Sequence, residues 1–345
     1  MNFDNITIKP ILETLRLQKI SDNEYFSEKY SYFVSNSRLS RINPKQEGSI
    51  QKFLDNSQRL FISSLPLGTA VHTGILQPEY FEIADGIINK PTSKAGFIAD
   101  ECIDICKKRK CNLTDEIILE CCGIVDYYKG NPSPNQFNKL KNQISPYIDS
   151  RAIYEKNLKS DKEQLYLDLK QIETAKACIK ALQSNKKVQS LLHPYDAISE
   201  NEQAILLDVE VNIPDLGTEI VRLKSKLDNY TIDLDCITVN DIKTHGKMLP
   251  EFPAAIDKYR YMREMAMYCY LLKLCAQKFY NLENPTIKSN FLVVSTIPQY
   301  YTKVFPMTKK LFKEGLDEFR YLLKLAAIAL HFKNSEEAEE WITNH

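Results

Sequence analysis

The sequence predicts an α/β protein whose sheet lies in the C-terminal part of the chain, preceded by a long helical insertion. Three observations predict it. β-branched runs cluster after His193-Pro194, at 204–213, 219–228, 232–243 and 287–297. Long helical stretches follow these runs, at 254–280 between the third and fourth and at Lys309–Phe332 after the last. Residues 94–192 read as helical almost throughout. A chain of 345 residues suits one domain carrying an insertion. The expected organisation is one body over 1–345, with a helical insertion at 94–192 and the sheet with its closing helices at 193–345.

Taken in order, 8–18 carries apolar residues at helical spacing and is expected to be a helix, followed by an aromatic-rich stretch at 25–34. Ser35 or Ser37 can cap a short helix that ends before Pro44. A second helix should open near Pro66, run through Leu76 and stop at Pro78. Within the insertion, Gly130-Asn131-Pro132-Ser133-Pro134 is the clearest break. Leu165, Leu167, Ile172, Ala175, Ile179 and Leu182 mark one face of an amphipathic helix.

Composition narrows the function classes. Lys+Arg and Asp+Glu are both 45, so the net charge is zero and no global nucleic-acid signal exists. Any DNA affinity must come from a local basic surface and bound metal. The longest apolar stretches, such as 323–331, fall far short of a membrane span, and the first ten residues lack a signal pattern, so a cytoplasmic protein is expected. Nine cysteines scattered through helices and strands read as reduced, buried thiols. The Cys102, Cys106, Cys111, Cys121, Cys122 group could suggest zinc or an iron–sulfur cluster, but its spacing follows helical packing.

The most informative segment runs from Lys224 to Thr244. If the chain reverses at Leu234-Asp235, paired residues of the resulting hairpin have numbers summing to 469. Asp228 then lies across from Asp241, and Lys226 across from Lys243. Directly opposed side chains sit about 5 Å apart at Cβ, where two carboxylates repel unless a cation lies between them. A hard divalent ion with oxygen ligands resolves the conflict. Ile237, Val239, Asp241 and Lys243 share one face by period two, so an apolar face turns charged at the strand end. Lys243 beside such an ion can hold an attacking water or stabilise negative charge developing on phosphorus. The competing reading is a surface hairpin with solvated charges.

These residues, with three further segments in the same order, resemble the PD-(D/E)XK nuclease superfamily, nearest in layout to the RecE-type phage recombination exonucleases. The resemblance spans roughly 25–330. It is carried by Val34-Ser35-Asn36-Ser37-Arg38-Leu39, similar to the family's serine-rich opening, and by Gly68 to His72 with the following Leu76-Gln77-Pro78-Glu79-Tyr80-Phe81. It is also carried by Lys258 to Tyr268, similar to a "Y-x-x-Q-x-A-x-Y" helix in which Glu264 replaces the usual glutamine. Tyr261, Glu264, Met265 and Tyr268 share a helix face, and a carboxylate on that face wants a partner. Phe291 to Ser295 and Tyr301 to Val304 fit the family's last core strands.

The resemblance implies a restriction-endonuclease-like core, with a central mixed sheet flanked by helices and a helical insertion. It implies catalytic roles for Asp228, Asp241, Lys243 and His72, and Mg2+, or Mn2+ in its place, at Asp228, Asp241, Ile242, His72 and Glu202. Glu210 is the alternative to Glu202, which the family's spacing favours. Contacts to DNA fall to Ser35, Ser37, Arg38, Lys226, Tyr261 and Glu264. The implied activity is a 5′-to-3′ exonuclease acting on double-stranded DNA ends in phage-type recombination, in the host cytoplasm if phage-encoded. A single-strand annealing protein is the implied partner and a closed homo-oligomer the implied assembly. The alternatives are an endonuclease or accessory nuclease of the same superfamily, and a non-catalytic DNA-binding protein on the same fold.

Overall fold

The structure is a computed structural model that describes residues 3–55, 65–80, 90–128, 130–157, 167 and 169–344. Phe81 and Leu165 of the patterns above lie outside these residues. In chain order the elements are β1 (Thr7–Lys19), α1 (Asp22–Tyr25), α2 (Asn36–Ile42), α3 (Ile50–Leu54) and α4 (Leu65–Leu76). Then come α5 (Lys94–Arg109), α6 (Asp115–Ile124), α7 (Pro134–Asn157), α8 (Leu169–Ser184) and α9 (Lys186–Leu192). The last part holds β2 (Ile198–Ile213), β3 (Gly217–Asp233), β4 (Cys236–His245), α10 (Phe252–Lys258), α11 (Tyr261–Phe279), β5 (Thr286–Ser295), β6 (Thr302–Pro306), α12 (Lys309–Phe332) and α13 (Ser335–Asn344).

The chain divides into two compact units, one of 1–59 with 180–345 and one of 60–179. The second is helical in its described residues. Its core joins Ile98, Cys102, Ile118, Cys121, Leu140 and Ile144 from α5, α6 and α7. All nine cysteines of the chain are free thiols, and six of them, Cys102, Cys121, Cys122, Cys178, Cys269 and Cys275, are buried.

The first unit carries a six-stranded mixed sheet in the order β1-β2-β3-β4-β5-β6, flanked by helices. Every neighbouring pair is antiparallel except β4 and β5, which α10 and α11 join as a parallel crossover. Ile237, Val239, Phe291 and Val293 belong to one core with Met265, Leu272, Phe319 and Leu323 of α11 and α12. These helices approach so closely that a Cβ at Gly315 would collide with the Met262 carbonyl oxygen. That contact explains glycine in the middle of a 24-residue helix.

Two sequence expectations are corrected here. Residues 8–18 are not a helix but most of β1. Pro10 sits in this edge strand, where a missing N–H costs least. The helix-like spacing has a cause. Ile11 faces Asp208 but Arg16 faces Leu206, so extra residues bulge out and the two-residue alternation is lost. Thr14 pins the bulge, its hydroxyl donating to the Ile11 carbonyl at 2.8 Å and accepting from the Asp208 N–H at 2.9 Å. The expected single helix over 254–280 is likewise two helices. Arg260, at φ 56°, breaks the backbone in the left-handed region while its guanidinium grips buried Glu318.

A polar seam locks the middle of the sheet. Asn240 of β4 donates to the Asn229 Oδ1 of β3 at 2.8 Å and accepts from the Asn290 amide of β5 at 3.1 Å. Asn229 reaches on to Asn201 of β2 at 2.8 Å, and Asn240 also donates to the Leu191 carbonyl of α9 at 3.0 Å. Asn229 and Asn240 are both fully buried, so an amide without partners here would be expensive. Strand register is thereby fixed one residue away from Asp228 and Asp241.

Candidate active site

The β3–β4 hairpin pairs Asp233 with Cys236, Ile232 with Ile237, and so on to Asn229 with Asn240, the register in which numbers sum to 469. Past that pair the ladder stops. There the Asp228 side chain takes over from the backbone, its Oδ2 accepting the Ile242 N–H at 2.7 Å. The carboxylate is thus anchored by one oxygen on the strand that carries Asp241.

Asp241 is 2% exposed. Its Oδ1 accepts a hydrogen bond from Lys243 Nζ at 3.2 Å. Oδ2 lies 2.9 Å from the same ammonium as an ion contact but accepts no well-aligned hydrogen bond. Burial pushes the Asp241 carboxyl above the usual range. Lys243 opposes that shift, and Asp228 and Glu264 add to it. Lys243 is pulled down by burial, but Asp241, Glu264 and Asp228 outweigh this and hold it well above its ordinary value.

Glu264 of α11 completes the cluster. Its Oε2 lies 2.9 Å from Lys243 Nζ and its Oε1 accepts from the Tyr268 hydroxyl at 3.2 Å. Tyr261, one turn earlier, places its ring 4.7 Å from the same ammonium. The partner that a carboxylate on this helix face requires is therefore Lys243. Two carboxyl groups thus contact one lysine, and Asp228 acts on it electrostatically.

The other expected residues fall as follows. Lys226 is held between Asp22 and Glu202, with Glu202 Oε2 at 2.7 Å, so in this structure Glu202 faces a lysine. Glu202 sits at φ 55°, a kink in β2 opposite Asp228. Glu210 lies further along β2, 3.9 Å from Lys9. Ser35 caps α2 by accepting the Arg38 N–H at 3.2 Å, and its hydroxyl meets that of Ser37 at 2.8 Å. Arg38 donates to the Tyr32 carbonyl at 2.7 Å and stacks 4.7 Å from the Phe53 ring, leaving its buried Nε with no partner. His72 lies half-buried on α4, in the other unit. Ile242 has no side-chain donor atom, so only its carbonyl could serve an ion. Among the described residues, no three His, Cys, Asp or Glu side chains gather as a ready-made metal cage.

Sequence reasoning missed Lys224 and Arg263. Lys224 is buried and has no carboxylate partner among the described residues. It donates to the Tyr25 carbonyl at 2.8 Å and lies 4.5 Å from that ring. Burial, and then Arg38 nearby, pull its pKa down to about 8. The signal was present, since Lys224, Lys226 and Asp228 alternate on one face of β3. Arg263, fully buried, ties α11 to α2 and α12 by bonding Asn36 Oδ1 at 2.8 Å, Ser40 Oγ at 2.6 Å and Glu318 Oε1 at 3.1 Å. It thereby positions the Ser35–Arg38 segment against the helix that carries Glu264.

No family model matches the chain, and no curated protein does. Among solved structures, it is similar to one from Eubacterium rectale described as a "putative exonuclease". That match has TM-score 0.49 and 9% identity, covering 92% of this chain and 88% of that one. No helix among the described residues is long and apolar enough to cross a membrane.

Proposed function

We propose that the chain is a metal-dependent DNA nuclease with a PD-(D/E)XK core, acting as an exonuclease on double-stranded ends. The observation that carries this reading is the buried Asp241 carboxylate beside Asp228, with Lys243 two residues on. One Asp241 oxygen lacks a hydrogen-bond donor, and two carboxyl groups, of Asp241 and Glu264, share one ammonium, with Asp228 acting on it electrostatically. A structural ion pair needs one acid per base, whereas this arrangement keeps anionic capacity for a cation.

The donor set fits Mg2+, with Mn2+ as substitute. The donors that β3 and β4 bring together are oxygens, and Mg2+ is commonly held by one or two carboxylates with water and substrate phosphate filling the rest. Asp228, Asp241 and the Ile242 carbonyl would hold it. When bound, the ion supplies polarisation of the scissile phosphate and a lowered pKa for a water. Lys243 is the group of this chain aimed at the reacting phosphate. Glu264 and Tyr261 fix its ammonium, which neutralises charge on the phosphate and orients the attacking water. Ser35, Ser37, Arg38 and Lys224 supply hydroxyls and cations for a terminal phosphate, Arg38 and Lys224 being charges without a carboxylate partner among the described residues. The 5′-to-3′ direction, an annealing partner, a recombination role and a closed oligomer rest on the sequence resemblance and belong to the same proposal.

The test is cleavage of end-labelled linear duplex against covalently closed circular DNA, with Mg2+ or EDTA. Loss of linear DNA alone supports an exonuclease. Nicked circles turn the reading to an endonuclease, and no cleavage of either overturns it in favour of a binding protein.

A further inference from the structure

A cavity of about 900 Å3 opens beside the first residues of β5, between α11 and the N-terminal turns of α12. Where β6 ends at Pro306, this end of β5 has no strand beside it on that side, and the Met307 N–H bonds Ser289 instead at 2.9 Å. Its floor is apolar and partly aromatic, with Tyr270, Leu274, Ile287, Phe312 and Leu316. Its cations are Lys273, Lys288, Lys309 and Arg320, and no aspartate or glutamate is among its lining residues. None of the four has an ion-pair partner among the described residues. In a chain with equal numbers of acids and bases, four cations around one groove without an acid is a local imbalance that an anion would relieve.

Helix α11 serves both places. Tyr261, Glu264 and Tyr268 point to the acidic cluster, whereas Tyr270, Lys273, Leu274 and Gln277, at spacing i, i+3, i+4 and i+7, line the groove. The groove is therefore a separate surface.

We propose that this groove binds single-stranded DNA, with successive phosphates on the four cations and bases against the apolar floor. A cationic track beside aromatic rings is the chemistry that holds single strands without reading their sequence. A mononucleotide would leave most of the cations uncompensated. An acidic peptide would match the charge but offer no flat rings to Tyr270 and Phe312, and a duplex keeps its bases stacked inside. The choice of DNA rests on the nuclease reading, but binding is measurable without cleavage.

The experiment is fluorescence anisotropy of a labelled oligothymidylate with the full chain in EDTA, over a series of salt concentrations. The Lys273→Glu/Lys288→Glu variant changes two exposed side chains, and circular dichroism confirms its folding. It is expected to bind about tenfold or more weakly, and its salt dependence should fall by about 0.7 in slope per lysine removed. Lys273→Arg/Lys288→Arg should bind as the parent does. Unchanged affinity in the reversed variant overturns the proposal, and so does displacement by polyglutamate as effective as by unlabelled oligonucleotide of equal charge. Duplex cleavage with Mg2+ is scored separately. A chain that binds single strands through these lysines but cuts nothing retains this proposal while losing the nuclease reading, and the converse result separates them the other way.

Discussion

Lys243 Nζ stands 2.9 Å from Asp241 Oδ2 and 2.9 Å from Glu264 Oε2, so one ammonium joins the end of β4 to the first turns of α11. The Tyr261 ring closes over it at 4.7 Å. A lysine held from three sides loses little further freedom when a phosphate arrives, which suits a preorganised electrostatic role.

Removing that ammonium should therefore cost rate more than binding. Lys243→Met is expected to slow single-turnover cleavage by about 10²–10³, the usual loss on deleting one preorganised stabiliser, with DNA affinity nearly unchanged. Glu264→Gln keeps an acceptor for Tyr268 and relieves one negative charge, so it should retain most of the activity that Glu264→Ala loses. A Lys243→Met chain that cleaves normally but no longer binds DNA contradicts the assigned role.

Asp241 should make the metal-free protein less stable as pH rises. Its folded pKa is raised by burial, so between the ordinary carboxylate pKa of about 4 and the raised value the folded state holds a proton that the unfolded state has lost. The contribution to stability is then full below about pH 4 and declines through that window. Asp241→Asn removes the dependence. In EDTA its melting temperature should equal or exceed the parent's at pH 8, the gap closing toward pH 4. A variant less stable than the parent across the range would show that Asp241 is a structural ion-pair partner.

Lys224 predicts a second pH effect, on binding. With a pKa near 8 it is charged at neutral pH and neutral well above it, so affinity for a 5′-phosphorylated end should drop as pH passes through about 8. Lys224→Met should bind weakly at every pH and lose the step. Anisotropy with phosphorylated and unphosphorylated ends checks this, and a step of equal size on both ends would place the titrating group elsewhere.

The asparagine seam predicts that a residue with no chemistry in it still matters for the site. Asn240→Ala takes the donor from Asn229 Oδ1 and the acceptor from the Asn290 NH2, at a cost of about 1–3 kcal/mol for a buried polar group left without its partner. Urea denaturation should report that loss. If stability is unchanged, the seam does not hold the register.

The hairpin was legible in the sequence because period-two alternation and a turn at Leu234-Asp235 suffice to fix its register. Helix α12 was legible for a similar reason, its apolar stripe being long and uninterrupted. β1 was not, because its bulge erased the alternation and imitated a helical period. The break at Arg260 depends on a guanidinium meeting Glu318, 58 residues away, which no local pattern encodes. At the site, strand neighbours could be inferred, and Glu264 announced its need for a partner. Which lysine answered it, and that Glu202 would face Lys226, depended on contacts between distant segments.

The most direct test of the account is whether the carboxylate pair holds a metal that cleavage requires. Parent, Asp228→Asn and Asp241→Asn are compared by calorimetric Mn2+ titration and by Mg2+-dependent degradation of end-labelled linear duplex. The parent is expected to bind the ion and degrade the duplex, and each variant, folded by circular dichroism, to lose both. Full cleavage by either variant, or a parent that neither binds the ion nor cleaves, would contradict it.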